Sequence, residues 1–351
     1  MDNTRKLFRD INADAMLTHS ADLRRYLTGF SSTFGFVYTD AQDSVLFTDP
    51  RYAEAAKAAL KKTSVAVEIA KDLDTVLRFV KARKVKKLAV PFERITVPEY
   101  EALAHARLRL VDSSRAFAEA MAVKSEGELA RIRRASSIAE QGYTAFLNEL
   151  KEGMTENEAA ALLEYKMRAF GAEDRSFETI AAFGKNTSVP HHRSGDTKLA
   201  CGMPVLLDFG CKADGYCSDI TRTFLFGQKG APDDFAEVYE AVYGAHMAAL
   251  ENIRGGMTGA AADEIARGFL RGKGLDKFFT HSLGHGVGIN IHEKPVLGPS
   301  GKDVLRDGMV FSVEPGVYFE GHYGIRIEDT AALSGGKAQS FMKTEKRLTV
   351  L

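Results

Sequence analysis

The stretch PVLLDFGCKADGYCSDITRTF, residues 204–224, decides how the rest of the chain reads. Two apolar, β-prone runs flank Ala213-Asp214-Gly215, a turn signal, so the segment reads as a β-hairpin. With the turn centred between Ala213 and Asp214, Asp208 and Asp219 face each other, and such cross-strand Cβ atoms lie about 4.5–5.5 Å apart. Asp is depleted in strands, and the apolar flank Val205-Leu206-Leu207 implies burial. Two facing buried carboxylates repel each other unless a proton or a cation intervenes. A surface meander with one solvated carboxylate would give the same pattern, so the hairpin needs support from elsewhere.

That support lies downstream. The run VFSVEPGVYF (310–319), a turn at Glu320-Gly321-His322 and the run YGIRIEDT (323–330) repeat the theme, with Glu314 and Glu328 equidistant from Gly321. Between the hairpins, HSLGHGVGINIHEKP (281–295) interleaves His281, His285 and His292 with Gly284, Gly286 and Gly288. Glycine allows close backbone approach, and histidine is both the commonest metal ligand and the best proton carrier near neutral pH. Asp208, Asp219, His285, Glu314 and Glu328 together are four oxygen donors and one imidazole, a set suited to Mn²⁺, Co²⁺, Fe²⁺ or Zn²⁺. Four carboxylates exceed the charge that one divalent ion neutralises, so two ions are expected. Such a pair activates water and polarises a carbonyl, which is hydrolase chemistry.

An internal repeat organises this half of the chain. Gly153-Met154-Thr155 recurs as Gly256-Met257-Thr258, and at the same offset Tyr143, Leu147 and Leu150 answer to His246, Leu250 and Ile253. Each copy predicts a helix, the GMT turn, a second helix with the Thr as N-cap, and a closing glycine at Gly171 and at Gly272 or Gly274. Two related α+β halves about a shared sheet follow, with a site at their seam. Ser125 and Glu128 form a capping box that opens an amphipathic helix from Leu129, so this domain is expected over 123–351.

Residues 1–122 alternate strands and helices instead. Val45-Leu46-Phe47, Val65–Ile69 and Lys87–Val90 read as strands, Asp49-Pro50 as the cap of a helix through Leu60, Leu73–Ala82 as a helix, and Gly29 as a helix end. An α/β layer with a partly parallel sheet is expected. No glycine-rich phosphate loop follows any of these strands.

With 351 residues, 45% hydrophobic and 27% charged, the chain has the composition of an ordinary globular protein. Lys plus Arg equals Asp plus Glu at 47 each, which gives no case for nucleic acid or an anionic membrane. The N-terminal residues lack an apolar run for a signal peptide or membrane span, and Cys201, Cys211 and Cys217 lack metal-site spacing. The three thiols read as packing residues, and a cytoplasmic protein is expected.

On these motifs the chain resembles the Xaa-Pro peptidases, the prolidase and aminopeptidase P family of pita-bread metallopeptidases. RYLTGF (25–30) and DPRY (49–52) carry the resemblance in the first domain. LLDFG, SDITRTF, HSLGHGVG, IHEKP, SVEPGVY and GIRIEDT carry it in the second. It implies an α/β N-terminal domain and an α+β pita-bread catalytic domain with internal pseudo-two-fold symmetry. The five ligand positions would hold two metal ions, Mn²⁺ or Co²⁺ above Zn²⁺ or Fe²⁺. It further assigns His191 to a loop that closes over the substrate, His292 to the scissile bond, His281 to the proline side and Arg326 to support of this network. The neighbour His192 departs from the family pattern and leaves open which ring points inward. Glu314 would take the proton of the attacking water, and His292 with His191 would stabilise the tetrahedral intermediate. His19, His105, His246 and His322 are read as ordinary surface or core residues.

The resemblance implies an Xaa-Pro dipeptidase acting on Xaa-Pro dipeptides or short peptides, as a homodimer. Aminopeptidase P acting on longer peptides is the alternative within the family. A catalytically inactive pita-bread binding module and a creatinase-like C–N hydrolase are the alternatives outside it.

Overall fold

The computed structural model describes residues 3–9 and 11–351, which divide into two compact units, Met1–Met121 and Ala122–Leu351. The first unit is built on a six-stranded sheet ordered Val65–Ile69, Ser44–Thr48, Phe36–Asp40, Ala15–Thr18, Lys87–Val90, Arg109–Asp112. The three strands in the middle of that order are joined antiparallel and the outer pairs are parallel, so the sheet is mixed. Val65–Ile69, Lys87–Val90 and the helix Leu73–Ala82 have the bounds that the sequence predicts. Gly29 ends the helix Ala21–Thr28 at φ 73°, where its N–H reaches Arg25 O. One boundary differs. Asp49 accepts Arg51 N–H at 2.8 Å in a local turn, so the helix expected to start there begins at Ala53.

The second unit follows the expected repeat. Its first half stacks the helices Glu126–Leu147 and Glu156–Ala169 on the strands Ile180–Phe183, Met203–Phe209 and Ile220–Phe226. Its second half stacks Phe235–Asn252 and Gly259–Arg271 on Gly284–Gly286, Val310–Val313 and Glu328–Ser334. Each half has its own apolar core. The Ser125–Glu128 capping box is present, and Thr155 and Thr258 each accept an N–H from the first turn of the helix they cap. Of the two candidate closing glycines in the second copy, Gly274 adopts the left-handed conformation, at φ 73°.

The six strands join into one sheet because the halves meet edge to edge. Ile220 pairs with Asp329 and Thr221 with Glu328 at the seam. Glu293–Leu297 extends the sheet beyond Gly284–Gly286. Among the described residues no helix is long and apolar enough to cross a membrane. Cys211 and Cys217 are buried packing residues as expected, whereas Cys201 is exposed, and all three are free thiols.

Gly142 shows how tightly the first helix pair docks. A Cβ there would meet the Met167 backbone N at 2.9 Å and its Cα at 3.0 Å, so the helix axes approach as closely as a missing side chain allows. Gly142→Ala is expected to destabilise the domain by about 1–3 kcal/mol through overpacking. Gly127→Ala, where a Cβ meets nothing within 4 Å, should stabilise it by up to about 1 kcal/mol. Paired urea melts of the two variants check this.

Candidate metal centre

The seam brings the predicted acidic residues together. The Val310–Val313 strand pairs Val313 with Asp329, and beyond Pro315 the chain pairs Gly316 with Arg326 in unbroken register. Glu314 and Glu328 therefore face each other across the break, as their spacing from Gly321 predicts. The first hairpin differs by one step. Its tip is the two-residue turn Asp214-Gly215, both left-handed at φ 49° and 74°, so Thr221 rather than Asp219 stands opposite Asp208. Asp219 lies two residues along on the same face, a diagonal neighbour of Asp208.

Asp219, His285 and Glu328 each offer one donor atom within 4.8 Å of the others. His285 Nε2 lies 3.6 Å from Asp219 Oδ2 and 3.4 Å from Glu314 Oε1. The carboxylates are aimed by hydrogen bonds. Thr221 donates to Glu328 Oε2 at 2.6 Å, Ser312 donates to Glu314 Oε1 at 3.0 Å, and Arg326 Nη2 donates to Asp208 Oδ2 at 2.6 Å. Asp208 Oδ1 is buried with no hydrogen-bond partner. A buried acceptor left unpaired costs about 1–3 kcal/mol, and a cation satisfies it.

Electrostatics point the same way. Burial, then repulsion from Glu328 and Asp208, raises the Asp219 carboxyl well above its usual range. Burial and repulsion from Glu314 and Asp208 do the same to Glu328. Glu314 is pushed up to about 7, by burial first, against the opposing pull of Arg326. His285 is shifted down by burial, which favours the neutral imidazole that ligates metals. Four acids with one imidazole fit a divalent cation of the Mn–Zn series.

The remaining predicted residues surround a cavity of about 490 Å³, which also meets all five candidate ligands. His292 lies against His285, ring centroids 4.3 Å apart and planes tilted by 59°, and the exposed His191 lines the same space. The His192 ring turns away to Glu156 Oε2, at 2.9 Å, which leaves His191 as the inward one. Arg326 is buried and also donates to Pro190 O, Thr221 and Tyr318. His281 is lowered to about 3, by burial first and then by Arg326.

Sequence reasoning missed Tyr318, whose hydroxyl lies 2.9 Å from His281 Nε2 and 2.8 Å from Arg326 Nη1. It lies inside SVEPGVY, where the strand period puts it on the face of Glu314 and Gly316. His246, read as ordinary, is fully buried 3.5 Å from Asp329, the residue after Glu328. Arg222, also buried, donates to Asp329 at 2.9 Å and to Glu328 O at 2.6 Å.

Residues 130–334 match metallopeptidase family M24, and residues 1–123 match the creatinase/prolidase N-terminal domain. The chain is 32% identical to an Xaa-Pro dipeptidase of Pyrococcus horikoshii over 97% of its own length and 96% of that protein's. The solved structure of an X-Pro aminopeptidase from Thermotoga maritima superposes with a TM-score of 0.92 at 33% identity, covering 99% of this chain and 100% of that one. An Xaa-Pro dipeptidase from Bacillus anthracis gives 0.94 at 32% identity, over 99% of this chain and 98% of that one. The chain belongs to metallopeptidase family M24, with a creatinase/prolidase N-terminal domain and a pita-bread catalytic domain. It is a metal-dependent peptidase.

Carboxyls raised on folding hold more protons in the native state than in the unfolded one. Their contribution to stability is full below about pH 4 and is lost as pH rises through the folded value, about 7 for Glu314. Metal-free protein should therefore melt at progressively lower temperature between about pH 5 and 8, and Glu314→Gln should flatten that fall. Divalent metal should restore the wild-type melting temperature. Calorimetric scans across this range check it, and identical slopes in both metal-free proteins would count against a raised Glu314 carboxyl.

Proposed function

We propose that this protein hydrolyses the bond between an N-terminal residue and proline, as an Xaa-Pro dipeptidase. The observation that carries the reading is the convergence of Asp208, Asp219, His285, Glu314 and Glu328 beside three cavity-lining histidines. The Xaa-Pro dipeptidases among the relatives support the substrate class.

The five residues would hold two divalent ions of the Mn–Zn series, and the family resemblance favours Mn²⁺ or Co²⁺ among them. When bound, such ions supply Lewis acidity toward a carbonyl and lower the pKa of water toward ~7. Glu314, steadied by Ser312, accepts the proton of the attacking water. His292 and His191 donate to the oxyanion that develops on the scissile carbonyl. His281, held by Tyr318, stands on the proline side, where Arg326 fixes both Tyr318 and Asp208. Phe177, Ile180 and Val296 give the cavity an apolar wall that suits a ring with no N–H to satisfy. The two buried free thiols agree with a reducing, cytoplasmic setting. A homodimer is part of the same proposal, carried by the family resemblance.

Protein stripped with a chelator should cleave Ala-Pro only after Mn²⁺ or Co²⁺ is added back. Glu314→Gln should then lower kcat by roughly 10²–10⁴-fold. Ala-Pro should be cleaved in preference to Ala-Pro-Ala, and the reverse order would move the assignment to longer peptides. Failure of added metal to produce hydrolysis of either would end the peptide-bond reading.

A further inference from the structure

Glu156 is the one fully buried acid in the first half that the chemistry above leaves unused. It is the first residue of the helix Glu156–Ala169, whose N-terminus is already capped by Thr155 and Glu158. Its carboxylate turns instead toward the loop after Ile180–Phe183 and accepts four hydrogen bonds there. Phe183 N–H and the Asn186 side-chain amide bind Oε1, each at 2.8 Å. His192 Nε2 at 2.9 Å and Gly195 N–H at 3.0 Å bind Oε2. One side chain thus ties the start of the loop, its 3₁₀ turn, the residue after His191 and its end.

His191 sits between two fixed points. On one side Pro190 O accepts from Arg326 Nη1 at 3.2 Å, and on the other the His192 ring is held by Glu156. The backbone between those points cannot rotate freely, so the place of His191 at the cavity is set from beneath the loop.

The second half of the repeat uses the same device. Asp263, buried on the equivalent helix, accepts Leu283 N–H at 2.9 Å and a two-point contact from Arg267 at 2.7 and 3.0 Å. Arg267 in turn donates to Phe279 O and His281 O, at 2.8 and 2.9 Å. In each half a buried acid on the second helix grips the loop that presents a cavity histidine.

We infer that Glu156 is a positioning residue for hydrolysis, acting through His192 to hold the His191 loop over the cavity. The inference rests on the peptidase reading for its kinetic arm alone. Glu156→Gln faces two of the four donors with an NH₂ group whichever way the amide is turned, so the loop loses its grip.

Four proteins test this: wild type, Glu156→Gln, His191→Ala and the double variant. Glu156→Gln should lower kcat/KM by about 10–100-fold, the usual effect of losing a supporting partner. In the His191→Ala background it should lower it little further, because the two changes remove the same interaction. Hydrogen exchange should quicken across residues 183–195, and calorimetric Mn²⁺ affinity should stay unchanged. His192→Ala, which leaves three donors on the acid, should show the same non-additivity at smaller amplitude and serves if Glu156→Gln fails to fold. Additive losses, unaltered exchange or a fall in Mn²⁺ affinity would overturn the inference. A wild type without Xaa-Pro hydrolysis would sink the functional reading, while the exchange arm would still decide whether Glu156 anchors the loop.

Discussion

Like charges buried at close quarters are the constraint on which this molecule turns. Asp219, Glu314 and Glu328 are each pushed toward protonation by burial and by neighbouring acids. A metal ion reverses that balance, because the desolvation that makes a lone carboxylate costly strengthens its attraction to a cation. The surrounding fold is arranged to hold these groups in place. Thr221, Ser312 and Arg326 each hold one carboxylate by a directed hydrogen bond, and those bonds leave Asp208 Oδ1 free to face a cation.

The internal repeat explains how one chain assembles such a site. Each half alone offers a sheet edge with two acids near it. Joining Ile220–Phe226 to Glu328–Ser334 buries both edges and sets the acids of the halves side by side. Behind the seam Asp329 is held by Arg222, Lys346 and Ser340 on the opposite face from Glu328. Despite burial, which raises it, Arg222 and His246 keep that carboxyl below the usual range. The two faces of one strand thus carry opposite solutions to the same problem: fixed protein cations behind, and acids awaiting metal in front.

Much of this was legible in the sequence, because strand period and turn chemistry are local. The placement of Glu314 against Glu328 followed from their distance to Gly321. The partner of Asp208 slipped by two residues, from Asp219 to Thr221, because Ala213-Asp214-Gly215 offers two turn centres one residue apart, and the left-handed pair Asp214-Gly215 won. The GMT repeat was readable because each copy rebuilds the same capped helix. Tyr318 was within reach of the strand period, on the Glu314 face of its own hairpin, whereas Thr221 and Glu156 were not readable as parts of the site. Their roles depend on hydrogen bonds between segments far apart in the chain, and nothing in a Thr or Glu taken alone reports its partner. The contact of His246 with Asp329 escaped for the same reason.

The family supplied what geometry could not, namely which chemistry a cage of acids and imidazoles performs. Geometry adds to the family's assignment of His191, because the neighbouring His192 ring turns away to Glu156 while His191 lines the cavity. The most direct measurement is anomalous diffraction from crystals grown with Mn²⁺, recorded on both sides of the manganese edge. Two peaks should appear within about 2.0–2.3 Å of oxygens from Asp208, Asp219, Glu314 and Glu328, with the His285 ring touching one of them. Featureless density among those side chains, or metal bound only elsewhere, would contradict a caged pair of cations.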